Sequence, residues 1–87
     1  MKSILSESDS KAVLEILIEQ LGKPESQLTP EARLKEDLGA DSLTFIEIVM
    51  ALDEQFDISI SDEAAERVST VGELFEMLGD LLARSHA

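Results

Sequence analysis

Gly39-Ala40-Asp41-Ser42-Leu43-Thr44-Phe45-Ile46-Glu47-Ile48-Val49-Met50-Ala51-Leu52-Asp53-Glu54-Gln55-Phe56 is the stretch on which the reading of this chain turns. Gly39 permits a sharp turn, Asp41 and Ser42 are both good helix caps, and Leu43, Ile46, Val49, Met50 and Phe56 then follow with helical spacing. The pattern predicts a helix beginning at about Ser42, with those apolar residues facing inward and Glu47, Glu54 and Asp57 left toward water.

Upstream, Val13, Leu14, Leu17, Ile18 and Leu21 mark a first helix, with Ser8, Asp9 or Ser10 as its cap and Gly22 followed by Pro24 as its stop. Residues 23–40 form a long connection, in which Thr29-Pro30-Glu31 favours a short turn of helix and Leu28, Leu34 and Leu38 pin the loop to the core. Downstream, Asp57-Ile58-Ser59-Ile60 alternates like a strand but has nothing to pair with, so it reads as an extended loop. Ser61-Asp62-Glu63 opens a short third helix reaching about Val68, and Thr70-Val71-Gly72-Glu73 is a capping box for a fourth, with Val71, Leu74, Phe75, Leu78 and Leu82 on one face. Gly79 weakens that helix by about 1 kcal/mol relative to Ala, so its last turn is expected to fray. The prediction is an all-α small four-helix bundle with a short third helix and a long loop between helices 1 and 2. One domain spans 1–87, with an ordered core of about 8–84.

Composition narrows the function. The 87 residues carry 19 acids against 7 bases, a net charge of −12, which argues against nucleic acid and for basic protein partners. Between Glu36 and Glu66 stand Glu36, Asp37, Asp41, Glu47, Asp53, Glu54, Asp57, Asp62, Glu63 and Glu66, with no Lys or Arg among them. Self-repulsion on this scale favours a monomer and makes stability sensitive to salt. No Cys is present, which removes a disulfide framework, thiolate metal ligation and a cysteine nucleophile. No apolar run approaches a membrane span and Met1 to Leu5 lacks a secretory pattern, so stable membrane insertion is not expected and the expected location is cytoplasmic. The acids lack the Asp-x-Asp-x-Asp-Gly spacing of a calcium loop, leaving at most weak, nonspecific divalent binding, and His86 stands alone. No metal site is expected.

Ser42 carries two readings. A serine beside a helix start is commonly its cap. Asp41 can do that work, however, and the residue three beyond Ser42 is Phe45, so no capping box needs the hydroxyl. A hydroxyl at a helix N-terminus is also well placed to bear an anion such as a phosphodiester.

Gly39-Ala40-Asp41-Ser42-Leu43, preceded by Glu36-Asp37-Leu38 and followed by Ile46 through Phe56, resembles the acyl carrier proteins of fatty-acid synthesis. The resemblance runs from about Asp9 to Gly79. It implies an acyl-carrier-protein-like fold and a free-standing carrier that is not itself an enzyme. By this resemblance Ser42 is esterified by 4′-phosphopantetheine from coenzyme A, through a phosphopantetheinyl transferase using Mg²⁺, and acyl groups ride as thioesters on the arm's thiol. Asp41, Leu43, Glu47, Met50, Asp53 and Glu54 are implied to meet basic docking patches on ketosynthases, acyl and malonyl transferases, reductases and dehydratases. Val49, Leu52, Ile60, Ala65, Val68, Leu74 and Leu78 are the implied acyl-chain pocket, although as sequence they are simply core residues.

The chain departs from the family at Thr44, where an acid is usual, at Phe45, where Thr or another small residue is common, and at Leu34, where an aromatic is often seen. The first two suggest altered partner choice. They suit either a somewhat divergent housekeeping carrier or a dedicated one for a specialised pathway; a dedicated carrier for polyketide, lipid-modifying or amino-acyl chemistry is the alternative, and an unmodified acidic helical adaptor is the alternative from another class.

Overall fold

A computed structural model describes residues 5–85, so His86 lies outside the described residues. Four helices form: α1 (Glu7–Leu21), α2 (Ser42–Phe56), α3 (Asp62–Glu66) and α4 (Val71–Ser85). α1 packs against α2, and Val13, Leu17, Ile48, Leu52, Leu74 and Leu78 are fully buried among them.

α1 is capped by Ser6, whose Oγ accepts the Asp9 N–H at 3.1 Å, and not by Ser8, Asp9 or Ser10 as expected. The earlier cap keeps Glu7 and Asp9 in the first turn, at the positive end of the helix dipole, and brings Leu5 into the core. Gly22 ends the helix as predicted, in the left-handed conformation that glycine adopts without a Cβ penalty, its N–H donating to the Ile18 carbonyl at 2.9 Å.

The long connection departs from expectation in one respect. Its helical turn is a 3-10 segment at Glu25–Gln27, whereas Thr29 and Pro30 produce only a turn closed by the Ala32 N–H donating to the Thr29 carbonyl at 3.0 Å. Neighbouring backbone groups are engaged elsewhere: Gly72 N–H donates to the Pro30 carbonyl at 3.0 Å, Val71 N–H to Ala32 at 3.0 Å, and Leu34 N–H to Ser69 at 2.8 Å. Helical i to i−4 bonding cannot propagate through a segment paired across to the start of α4. Leu28, Leu34 and Leu38 are buried as expected, and Arg33 is clamped by Asp37, which accepts from both its backbone and its guanidinium.

α2 begins at Ser42, where the sequence placed it, and ends at Phe56, but it is rotated from the expected face. Leu43, Ile46 and Met50 are 66, 53 and 62% exposed, while Ile48 and Leu52 are buried and Phe45, Val49 and Phe56 are half-buried. The helix is apolar around most of its circumference, so periodicity alone cannot choose between two overlapping stripes. Its C-cap, Asp57, has φ 53, the left-handed region, with its N–H donating to the Asp53 carbonyl. A negative charge there opposes the helix dipole. Asp57→Asn keeps a side chain tolerant of this conformation and removes that charge, so urea unfolding should show a gain of about 0.3–1 kcal/mol.

The loop after α2 is extended, as predicted, and is held by Asp53, whose Oδ1 accepts the Ile60 N–H at 3.0 Å. Ser61 caps α3 through the Ala64 N–H at 3.1 Å. α3 stops at Glu66 and not at Val68, because the Arg67 and Val68 N–H groups turn back three residues, to Ala64 and Ala65.

The capping box of α4 forms in full: Glu73 N–H donates to Thr70 Oγ1 at 3.1 Å, while Glu73 Oε1 accepts from Thr70 N–H at 3.0 Å and Ser69 N–H at 2.8 Å. Val71, Leu74, Phe75, Leu78 and Leu82 are all buried. Gly79 is buried as well, and the helix runs through it to Ser85, so the last turn that was expected to fray is helical.

The N–H groups of Ser69 and Thr70 hold the Glu73 carboxyl below the usual carboxylate range. A depressed folded pKa contributes stability that is present above the unfolded value, about 4.3, and lost as pH falls through the folded one. Glu73→Gln preserves the capping geometry without the charge. Its deficit against the wild type in urea midpoint should be visible at pH 7 and shrink at pH 3.

Candidate functional site at the start of α2

Gly39, at φ 73, turns the chain out of the connection, Ala40 anchors it in the core, and Asp41 then sets the first turn of α2. Asp41 Oδ1 accepts the Thr44 N–H at 2.8 Å. That bond, assisted by the Thr44 side chain, holds the Asp41 carboxyl below the usual carboxylate range. Ser42, the next residue, is exposed, and its hydroxyl makes no hydrogen bond to any described residue. The two candidate caps are thus resolved: the aspartate caps, and the serine hydroxyl has no partner among the described residues.

One turn further along α2 a groove of about 390 Å³ begins. Phe45, Ile46, Val49, Met50 and Asp53 form its α2 wall, and Ile60, Asp62, Ala65 and Glu66 the other. Its floor is apolar and its rim carries three carboxylates. Among the described residues no cluster of His, Cys, Asp or Glu is arranged to hold a metal ion, and no helix is long and apolar enough to cross a membrane.

The family model for the phosphopantetheine attachment site matches residues 11–78, which takes in most of α1, the connection, α2, α3 and about half of α4. The chain belongs to this family.

Membership in the phosphopantetheine attachment family establishes the cofactor as covalently bound 4′-phosphopantetheine, and the working context as a phosphopantetheinyl transferase with partner enzymes. The residues present fit such a group. A hydroxyl with no hydrogen bond to any described residue stands exposed at the positive end of a 15-residue helix, favourable to a phosphodiester, and an apolar groove opens alongside. The chain's lack of Cys is met by the cofactor, whose thiol supplies the acyl-carrying sulfur.

The structure sorts the expected site residues into three places. Leu43, Glu47, Met50 and Glu54 lie exposed on α2, joined by Ile46, which periodicity had assigned to the core. The signal for Ile46 was present in the spacing of Leu43, Ile46 and Met50 around Glu47. Asp41 and Asp53 are partly committed to the fold, each accepting a backbone N–H. Of the seven expected pocket residues, Val49, Ile60 and Ala65 line the groove, Val68 lines a separate groove between α3 and α4, and Leu52, Leu74 and Leu78 lie in the closed core. The sequence reading missed Phe45, Ile46 and Met50 as groove residues. Their spacing with Val49 and Asp53, two adjacent rows one turn apart, is the pattern that marks one helix wall.

Proposed function

We propose that Ser42 is the attachment residue and that the chain carries acyl intermediates for enzymes of fatty-acid biosynthesis. The observation supporting it is the division of labour at Asp41 and Ser42: the cap is supplied by the first, so the hydroxyl of the second is available without cost to the helix. In the loading step Ser42 Oγ attacks the pantetheine-side phosphorus of coenzyme A. The hydroxyl proton passes to a base on the transferase, and 3′,5′-ADP leaves. The chain performs no bond chemistry on its cargo; it presents and delivers. Leu43, Ile46 and Met50 offer an apolar patch alongside Glu47 and Glu54, suited to a partner surface that is basic at its rim and apolar beside it. Tethering then raises the cargo's effective concentration at the docked active site.

The test is the intact mass before and after incubation with a broad-specificity phosphopantetheinyl transferase, coenzyme A and Mg²⁺. A gain of one phosphopantetheine, or its prior presence, supports the reading. No gain under conditions that convert a control carrier returns the acidic adaptor to first place.

Thr44 and Phe45 favour a second reading of the pathway, a dedicated carrier for polyketide, lipid-modifying or amino-acyl chemistry. Both are half-buried and both lie within one turn of Ser42, where a partner must approach. Replacing Thr44 by Asp and Phe45 by Thr should raise acyl-transfer rates with standard fatty-acid enzymes if the chain serves a specialised route. Unchanged rates would remove that reading.

A further inference from the structure

Phe45 is the groove residue nearest Ser42 along α2, and at i+3 it lies on the same face, with Cβ atoms of such pairs about 5–6 Å apart. A helical side chain leans toward the N-terminus of its helix, which places the ring at the serine end of the groove. The ring is half-buried and packs against the core. Over it stands Lys35, from the connection before α2, with Nζ 5.7 Å from the ring centroid. Lys35 is exposed and takes part in neither of the ion pairs found among the described residues, both of which belong to Arg33. The last base before the acid-only segment is therefore committed to an aromatic ring, although Glu36 and Asp37 are its sequence neighbours.

We propose that Phe45 is the specificity-determining residue of the groove, set across its serine end so that it limits how far a tethered aliphatic chain can enter, and that Lys35 is the positioning residue that holds the ring there. The inference rests on attachment at Ser42. Any chain leaving an arm on Ser42 meets this ring before it meets Val49, Ile60 or Ala65. Cargo is therefore sorted by length and width at the mouth, and the carboxylate rim of Asp53, Asp62 and Glu66 disfavours an anionic chain end. An exposed cation–π contact is weak, so the ring is held by a factor of only about two- to fivefold in population. Such a restraint adjusts how much cargo is sheltered without locking it in or out.

The experiment is to load octanoyl and butyryl arms from the corresponding acyl-coenzyme A onto the wild type and variants, confirm each by mass, and measure thioester cleavage by hydroxylamine. Shifts of the Ile60 and Ala65 amide NMR signals between the two cargoes provide a second readout. In Phe45→Ala and in Phe45→Leu, which preserves apolar packing, octanoyl cleavage should slow relative to the wild type while butyryl cleavage stays the same. Lys35→Ala should slow octanoyl cleavage by about two- to fivefold, Lys35→Arg should restore the wild-type rate, and Lys35→Ala should add nothing in a Phe45→Leu background. Octanoyl cleavage and Ile60 and Ala65 shifts that are the same in the wild type and both Phe45 variants would overturn the proposal. Failure of the wild type to load on Ser42 would overturn the attachment reading and the gate with it, whereas loading with unchanged protection overturns the gate alone.

Discussion

Ser42→Ala should abolish the mass gain from phosphopantetheinyl transfer while leaving thermal unfolding almost where it was. The two halves of this result have separate causes. Loss of modification follows from removing the only nucleophilic oxygen at that position; the neighbouring Asp41 carboxylate is acceptor-only when ionised, and the Thr44 N–H and hydroxyl keep it so. Retained stability follows because the Ser42 hydroxyl makes no bond to a described residue and the side chain is exposed, so the change should stay within about 0.5 kcal/mol. Asp41→Ala is the complementary variant. It keeps the serine and removes the cap, and should cost about 0.5–2 kcal/mol. Intact mass and a melting curve on the two variants together separate an attachment residue from a structural one. Ser42→Ala that unfolds the chain, or that is still modified, would contradict the assignment.

The parts of the fold that could be read in advance are those fixed by local chemistry. The capping box at Thr70 and Glu73, the Ser61 cap, the glycine stop at Gly22 and the single-faced stripe of α4 each depend on residues within one turn of one another. What could not be read depends on distant partners. Thr29 and Pro30 have the sequence of a helix start, yet their segment pairs with Ser69, Val71 and Gly72 some forty residues later, and that pairing removes the helix. Residue type does not single out Ser6 as the cap, because the serines and aspartate after it are equally competent, and only the burial of Leu5 favours the longer helix. The site divided the same way. Asp41 and Ser42 were legible as a capping residue beside a spare hydroxyl, but the facing of α2 was not, since a helix with apolar residues at positions 43, 45, 46, 48, 49, 50 and 52 offers more than one plausible stripe.

That ambiguity has its largest consequence at Leu52. Resemblance placed Leu52 in the acyl-chain pocket, and as sequence it reads simply as core; the structure buries it completely, and it does not line the groove. Leu52→Ala should therefore act on stability, by about 2–5 kcal/mol for the lost transfer energy and the cavity left behind. A chain of this length has roughly 4–13 kcal/mol in total, so the variant should be partly unfolded at 37 °C or nearly so. Met50→Ala, two residues earlier and 62% exposed, should lie within about 0.5 kcal/mol of the wild type and instead lower the rate of acyl transfer to partner enzymes. Urea unfolding of both, with acyl-transfer rates for Met50→Ala, tests the rotation of α2 directly. If Leu52→Ala proved nearly neutral and Met50→Ala strongly destabilising, α2 would face the other way, and the exposed patch, the groove and the position of Phe45 would all have to be reassigned with it.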